Sequence, residues 1–191
     1  RRSNVNEVAT GYTETHARLE AMRCLQCKKA PCVEGCPVRI RIRDFVCAIA
    51  DGQYKEALDI IKENSLLPAV CGRVCPQEVQ CQETCTVGKK FKDPTKAVSI
   101  GRLERYVADL NKNTNSVPVV AAETGKKVAI IGSGPGGIVT AADVRRAGHD
   151  VTIFEAFHKP GGVMVYGIPE FRLPKAIVQE EIDTLTKMGV K

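Results

Sequence analysis

Residues 127–155, KVAIIGSGPGGIVTAADVRRAGHDVTIFE, begin on a short apolar run, break on a glycine-rich turn and close on an acid. Lys127 to Ile131 reads as a strand, Ile138 to Ala147 as a helix closed by Gly148, and Asp150 to Phe154 as a second strand. That order is a β-α-β unit. The turn, Gly132-Ser133-Gly134-Pro135-Gly136-Gly137, fits G-x-G-x-x-G. Gly132 permits the tight turn, Gly134 lets backbone approach a pyrophosphate, and Gly137 permits close helix–strand packing. The helix N-terminus then offers N–H groups and a positive dipole to phosphates. Glu155 follows about twenty residues on, where an acid bonds the ribose hydroxyls. Glycines alone would be a weak signal; with strand, helix and acid in place they form a dinucleotide fingerprint.

Outward from this unit the texture changes. Asn111 to Gly125 (NKNTNSVPVVAAETG) is polar and irregular, a linker. The expected division is therefore residues 1–111, a linker at 112–125, and 126–191. In the first part Thr13 caps a short helix running to about Cys24. Asp44 to Asn64 reads as two short helices broken near Gly52, and Pro68 ends that run. Ile100, Leu103, Val107 and Leu110 recur at helical spacing between Ala97 and Leu110. The chain starts on Arg1 rather than Met and stops at Lys191 where a further strand begins, so a piece of a longer protein is expected.

All nine cysteines lie in this first part. Cys24, Cys27, Cys32 and Cys36 form C-x-x-C-x-x-x-x-C-x-x-x-C-P, and Cys71, Cys75, Cys81 and Cys85 form C-x-x-x-C-P-x-x-x-x-C-x-x-x-C. The only internal repetition is the C-x-x-x-C that ends each loop. Close spacing lets one loop wrap three corners of an iron–sulfur cubane. In two-cluster ferredoxins the cysteine followed by proline goes to the other cluster. Both loops have such a step, at Cys36–Pro37 and Cys75–Pro76, which implies two clusters with exchanged ligands. Zinc is the competing reading, but zinc sites commonly pair two C-x-x-C knuckles and only Cys24 and Cys27 make one. A secreted disulfide scaffold is disfavoured by the nucleotide fingerprint, which points to the reducing cytoplasm, where dense cysteines usually mean metal. Cys47 falls mid-helix and reads as a packed thiol.

Composition narrows the function classes. Hydrophobic residues at 43% and charged residues at 26% suit a folded core. No apolar run approaches the roughly 20 residues that span a bilayer, and no signal peptide opens the chain. The net charge of +6 invites nucleic acid, yet Trp is absent and aromatics make up 5%. The charge is placed locally: Arg23, Lys28, Lys29, Arg39, Arg41 and Arg43 face one acid, Glu34, where cysteines crowd. Anionic thiolate clusters call for such a shell. Neither a nucleic-acid nor a membrane partner is expected.

From EVATGYT through RCLQCKKAPCVEGCPV, CGRVCPQEVQCQETC and IGRLERYVADL, residues 7–110 resemble the N-terminal domain of the glutamate synthase small (beta) subunit family. The same module is similar to parts of dihydropyrimidine dehydrogenase and of the large subunit of NADH-dependent ferredoxin:NADP oxidoreductase. The resemblance implies a small helical domain with two 4Fe–4S clusters, standing before an FAD and NADPH module. It gives one cluster to Cys24, Cys27, Cys32 and Cys85, and the other to Cys36, Cys75 and Cys81. The eighth ligand in relatives is a glutamine or glutamate on the following helix, here Glu104 in IGRLERY, and the counterpart of Cys71 is unligated. Spacing alone selects Cys71 instead, a soft thiolate four residues from Cys75. One departure is Val38-Arg39-Ile40-Arg41-Ile42-Arg43, where relatives often read V-G-I-D-I-P; no ligand is touched.

The same resemblance selects FAD for the glycine turn. Pro160-Gly161-Gly162 and Tyr166 to Pro174 (YGIPEFRLP) look like the flavin-contacting stretch, with Gly162, Val163 and Arg172 along the cofactor. The expected fold class is thus α+β: a helical two-cluster iron–sulfur domain followed by a truncated Rossmann-like FAD-binding domain. The implied function is an NAD(P)H-dependent flavin/iron–sulfur oxidoreductase, passing electrons between FAD and the clusters toward a partner. That partner would be a glutamate synthase large subunit or a ferredoxin-linked subunit. No side chain is expected to act as an acid–base catalyst, because the cofactors carry the chemistry. The second glycine fingerprint that NAD(P)H needs does not occur before Lys191, so these residues by themselves are expected not to oxidise NADPH. The alternative class is a zinc- or cluster-stabilised interaction domain without redox activity.

Overall fold

Thr13 accepts the backbone N–H of His16 on its hydroxyl oxygen and so starts α1 (Glu14–Ala21). The computed structural model describes residues 4–110 and 117–191. Contacts divide the chain into one unit at Thr10–Asn113 and another made of Thr114–Lys191 with the leading residues through Ala9. Residues 112–116 of the expected linker lie outside the described residues.

The first unit is helical. After α1 come α2 (Pro31–Glu34), α3 (Ile42–Ala50), α4 (Tyr54–Lys62), α5 (Pro68–Val74), α6 (Thr86–Phe91) and α7 (Ile100–Leu110). Helices α3 and α4 are strongly amphipathic and turn on Gly52, whose φ of 78° suits a residue without a side chain. Phe45, Val46, Ile49, Ile61, Leu103 and Val107 are almost wholly buried and form the centre of the core. Packing of this apolar face is what holds such short helices, which are marginal alone.

One expectation is corrected here. Pro68 does not end the helical run but opens α5 at its first position, so Cys71 rides on a helix and not in a loop. The first helical N–H has no intrahelical partner in any case, so proline costs nothing there. For the same reason α8 (Pro135–Arg146) begins at Pro135, ahead of Ile138. Gly72 lets α5 lie directly on α7, since a Cβ at Gly72 would stand 2.6 Å from the Arg105 backbone nitrogen.

In the second unit β1 (Lys127–Ile131) pairs in parallel with β2 (Asp150–Phe154), with Lys127 opposite Asp150 and Ile131 opposite Phe154. Helix α8 crosses between them, and α9 (Val163–Tyr166) and α10 (Lys175–Lys187) follow. The sequence reading did not identify α10. Lys191 donates its N–H to Val151 and accepts from Ile153, on β2. The end of the expected linker is tied down: Ala121 donates to Arg146 O and Thr124 to Gly148 O.

Candidate functional site

The first cysteine loop is held in unusual backbone. Gln26, Ala30 and Arg39 all have positive φ (49°, 40° and 57°). These positions fall between Cys24 and Cys27, between Cys27 and Cys32, and just after Cys36. Left-handed non-glycine residues cost about 1–3 kcal/mol each and persist where the surroundings demand them. The result is a tight wrap that turns several thiols to one side. Gly35 brings the second loop against the first, because a Cβ there would meet Thr84 Oγ1 at 2.6 Å and Gln80 O at 2.7 Å.

Cys24, Cys27, Cys32 and Cys85 line one pocket, with about 310 Å³ of atom-free space, together with Arg43, Thr86 and Val98. Four thiols from two loops thus share a single wall. Cys27 donates its thiol to Thr86 Oγ1 at 3.2 Å. Burial, with Cys85 and Cys24 nearby, pushes the Cys32 thiol up to about 11, and burial raises Cys24 as well. All nine cysteines are free thiols. Among the described residues no three His, Cys, Asp or Glu side chains gather about one point as they would for a single ion. A shared wall, by contrast, suits a group with several iron corners.

A second group gathers on α5, α7 and the end of the second loop. Burial pushes Cys81 up to about 12, and Cys36, Glu104 and Cys32 press on it in that order. Glu104 is 6% exposed on α7. Cys71 hydrogen-bonds Cys75, which holds Cys75 down at about 7 and raises Cys71 far above the thiol range. Cys71 also receives the Ser65 hydroxyl at 3.9 Å. Glu104 therefore lies near both Cys71 and Cys81, while Cys71 faces Cys75 and Ser65. Cys47 sits on α3, half-buried, with its thiol raised by burial.

The nucleotide fingerprint forms a separate site. Gly132 takes φ of 92°, and a Cβ at Gly137 would stand 2.0 Å from Gly132 O, so both demand glycine. Nothing lies within 4 Å of a Cβ built at Gly134 or Gly136, which leaves the face of the turn open. Ser133 is buried, and Gly161 donates its N–H to Ser133 O at 3.0 Å and to Ser133 Oγ at 3.1 Å. Gly162, with φ of 52°, packs so that a Cβ would meet Gly134 Cα at 2.8 Å. The turn and Gly162–Val163 are thus adjacent, with Val163 57% exposed at the start of α9. Pro135 opens α8, and Arg172 is exposed on the turn before α10. Glu155 accepts the N–H groups of Phe157 (2.8 Å) and Ser133 (2.9 Å) and the Ser133 hydroxyl, which holds its carboxyl down at about 2.

Sequence reasoning passed over several contributors. Gly35 and Gly72 bring the elements together, while Arg43, of the basic shell expected from the sequence, lines the first pocket. Lys175 gives its ammonium to the carbonyls of Met164 (2.9 Å), Leu173 (3.1 Å) and Ile168, clamping the stretch after Gly162. A glycine inside a ligand loop was the readable sign for Gly35; Lys175 had none.

Comparison with known proteins bears on both sites. Residues 1–116 match the family model for dihydropyrimidine dehydrogenase domain II, 4Fe–4S cluster, and residues 130–172 match an NAD(P)-binding Rossmann-like domain. The chain is 40% identical over 187 residues to the NAD-dependent dihydropyrimidine dehydrogenase subunit PreT of Escherichia coli (strain K12), covering 97% of this chain and 44% of that protein. It is 35% identical over 187 residues to the glutamate synthase [NADPH] small chain of the same organism, covering 97% and 39%. The putative oxidoreductase UacF, also from that strain, is 36% identical over 193 residues, covering 100% and 30%. The chain thus spans less than half the length of the curated relatives it matches.

Proposed function

The chain belongs to the dihydropyrimidine dehydrogenase domain II, 4Fe–4S cluster family, and from that membership we propose that it is the electron-transfer part of an NAD(P)H-dependent flavin/iron–sulfur oxidoreductase. Cys24, Cys27, Cys32 and Cys85 would hold one 4Fe–4S cluster, and Cys36, Cys75, Cys81 and Glu104 the other. FAD would lie on Gly132, Ser133, Gly134, Pro135, Gly136 and Gly137, with Glu155 at its ribose and Gly162, Val163 and Arg172 along its length. When bound, the flavin would exchange hydride with NAD(P)H and single electrons with the clusters.

The observation that carries the reading is the pocket whose wall combines three thiols of the first loop with Cys85 of the second. A wall drawn from both loops supports ligand exchange between them, with Cys85 and not the proline-followed Cys75 as the thiol the second loop supplies. The soft thiolate set suits iron–sulfur chemistry. For the nucleotide, the open face over Gly134 and the seat of Gly162 on it leave backbone within reach of a pyrophosphate. The residues of the chain bind, orient and insulate; none moves a proton in this account. Electrons would leave toward a partner subunit, as the names of the relatives, a subunit and a small chain, suggest.

Electron paramagnetic resonance of the anaerobically reconstituted, dithionite-reduced protein tests this. Two interacting cluster signals are expected, with one lost in Cys85→Ser and the other retained. A Cys85→Ser protein that keeps both signals would overturn the exchanged ligation.

A further inference from the structure

Two arginines open α3 where a helix least favours cations. Arg41 is its N-cap and Arg43 lies in its first turn, the end whose dipole favours an acid such as Asp44. Arg41 has a use of its own: it grips Glu63, at the C-cap of α4, through Nε at 2.9 Å and Nη2 at 2.6 Å. Arg43 instead lines the pocket of Cys24, Cys27, Cys32 and Cys85. Among the described residues on that wall it is the one with a standing charge; apart from the thiols, the others are apolar or, at Thr86, a neutral hydroxyl. Its partner Asp44 does not line the pocket. Arg43 donates from Nε to Asp44 Oδ1 at 2.8 Å, and Asp44 Oδ2 is taken by Arg41 at 3.1 Å. Arg41, Arg43, Asp44 and Glu63 therefore cancel as a set, with a positive end at the thiol wall.

Two plainer explanations cover less. An ion pair between adjacent residues that are 41% and 26% exposed adds little stability, and Asp44 already has Arg41. Overall charge balance would be met by any nearby cation, such as the exposed Lys28 and Lys29 that follow Cys27. Charges in open solvent, however, are screened within about 8 Å at physiological salt, whereas one on the wall acts partly through protein of low dielectric. The reach of Arg43 shows on the thiols: burial raises Cys24 and Cys47, and Arg43 works against that rise at both. Reduction adds one electron, and so one negative charge, to a group that four thiolates already make anionic. A fixed cation at its wall favours the reduced form for the same reason that it favours any nearby anion. The second proposed site is dressed in the opposite sense, with the buried carboxylate of Glu104 near Cys81.

We propose that Arg43 is the charge that tunes the first cluster, raising the reduction potential of the group held by Cys24, Cys27, Cys32 and Cys85 relative to that of the second. The step it biases is the transfer of one electron, from the reduced flavin or, in the test below, from dithionite. One ferric iron becomes ferrous, no bond is made or broken, and Arg43 balances the added charge without giving up a proton. Asp44 holds the guanidinium in place from the side away from the wall's thiols. The proposal rests on the cluster reading above.

The test uses the 191-residue chain reconstituted with iron and sulfide, titrated with dithionite and redox mediators and followed by electron paramagnetic resonance. In Arg43→Gln the signal that Cys85→Ser removes is expected to become about tenfold harder to reduce, about 59 mV lower for one electron. The other signal should stay within about twofold. Arg43→Lys keeps the charge and should recover most of the shift. Asp44→Asn removes the negative end of the pair and should move the same potential upward. The control Lys29→Gln loses an equal charge at an exposed position off the wall and should move neither signal by more than about twofold. Iron and sulfide content should match the wild type in all four variants, which separates tuning from a structural role. An unmoved potential in fully loaded Arg43→Gln would overturn the proposal, as would an equal fall in Lys29→Gln or a shift confined to the other signal. If Arg43→Gln does not load, Asp44→Asn decides: a raised potential supports the proposal, and an unchanged or lowered one overturns it. A wild-type chain that takes up no iron or sulfide overturns the cluster reading and the proposal together, whereas a loaded chain with unmoved potentials overturns the proposal alone.

Discussion

Glu104 is the residue at which spacing and resemblance part. Spacing selects Cys71 as the eighth ligand, while the resemblance selects Glu104. In the structure Cys71 hydrogen-bonds Cys75, and Glu104, buried on α7, lies near both Cys71 and Cys81. We therefore expect Cys71→Ser to keep both clusters, and Glu104→Ala to lose or alter one, seen as a changed resonance signal with about four irons fewer or a shifted potential. Loss of a cluster in Cys71→Ser alone would reverse the assignment. Glu155 gives a second prediction at this scale. Its folded carboxyl is held down at about 2, below the ordinary value of 4.5, by the N–H groups of Phe157 and Ser133 and the Ser133 hydroxyl. A depressed acid stabilises the fold above its unfolded value, and that contribution fades as pH falls from about 4.5 to about 2. Glu155→Gln should flatten the pH dependence of thermal stability in that window and also weaken flavin binding. An unchanged profile would mean that these hydrogen bonds do not persist in solution. Such ligand residues were readable because chemistry restricts them to few types.

At the scale of elements the question is how short helices hold two loops in register. Gly72 seats α5 on α7, and an alanine there would press on the Arg105 backbone. Gly72→Ala should destabilise by about 1–3 kcal/mol, as overpacking does, and should deplete the cluster proposed for Cys75 and Glu104 before the other. Denaturant melts with iron analysis would show it; full stability with normal occupancy would contradict it. In the second unit Lys175→Met removes the ammonium that three carbonyls hold between α9 and α10. A loss of about 2 kcal/mol is expected for hydrogen bonds to a charged group, with weaker flavin binding as the stretch after Gly162 loosens. The elements themselves were largely legible. Periodicity identified the helices around Phe45, Ile61 and Val107, and the glycine turn identified the β-α-β unit. Pro68 misled because proline reads as a breaker from sequence, yet is at home in a first helical turn. Helix α10 was missed, although Ile177, Val178 and Leu185 are buried along it.

At the scale of the molecule, two units of different construction share one chain, and each matches a known module over its own residues. The change of texture after Leu110 led the sequence reading to run its first domain from residue 1 to 111, whereas contacts group the residues through Ala9 with Thr114–Lys191, and the linker's later residues bond back to α8 and to Gly148. The two C-P steps point to exchange between the loops without naming Cys85, which shares the pocket with the first-loop thiols, and the contact that brings the loops together depends on Gly35 against Thr84. Among the described residues no helix is long and apolar enough to cross a membrane. What a partner takes from this chain depends first on whether the thiols hold iron at all. The most direct test is iron, zinc and acid-labile sulfide on anaerobically purified and reconstituted protein, with an absorbance spectrum. The account predicts about eight iron and eight sulfide per chain. Stoichiometric zinc without sulfide, persisting through reconstitution, would contradict it and leave a zinc-stapled binding domain.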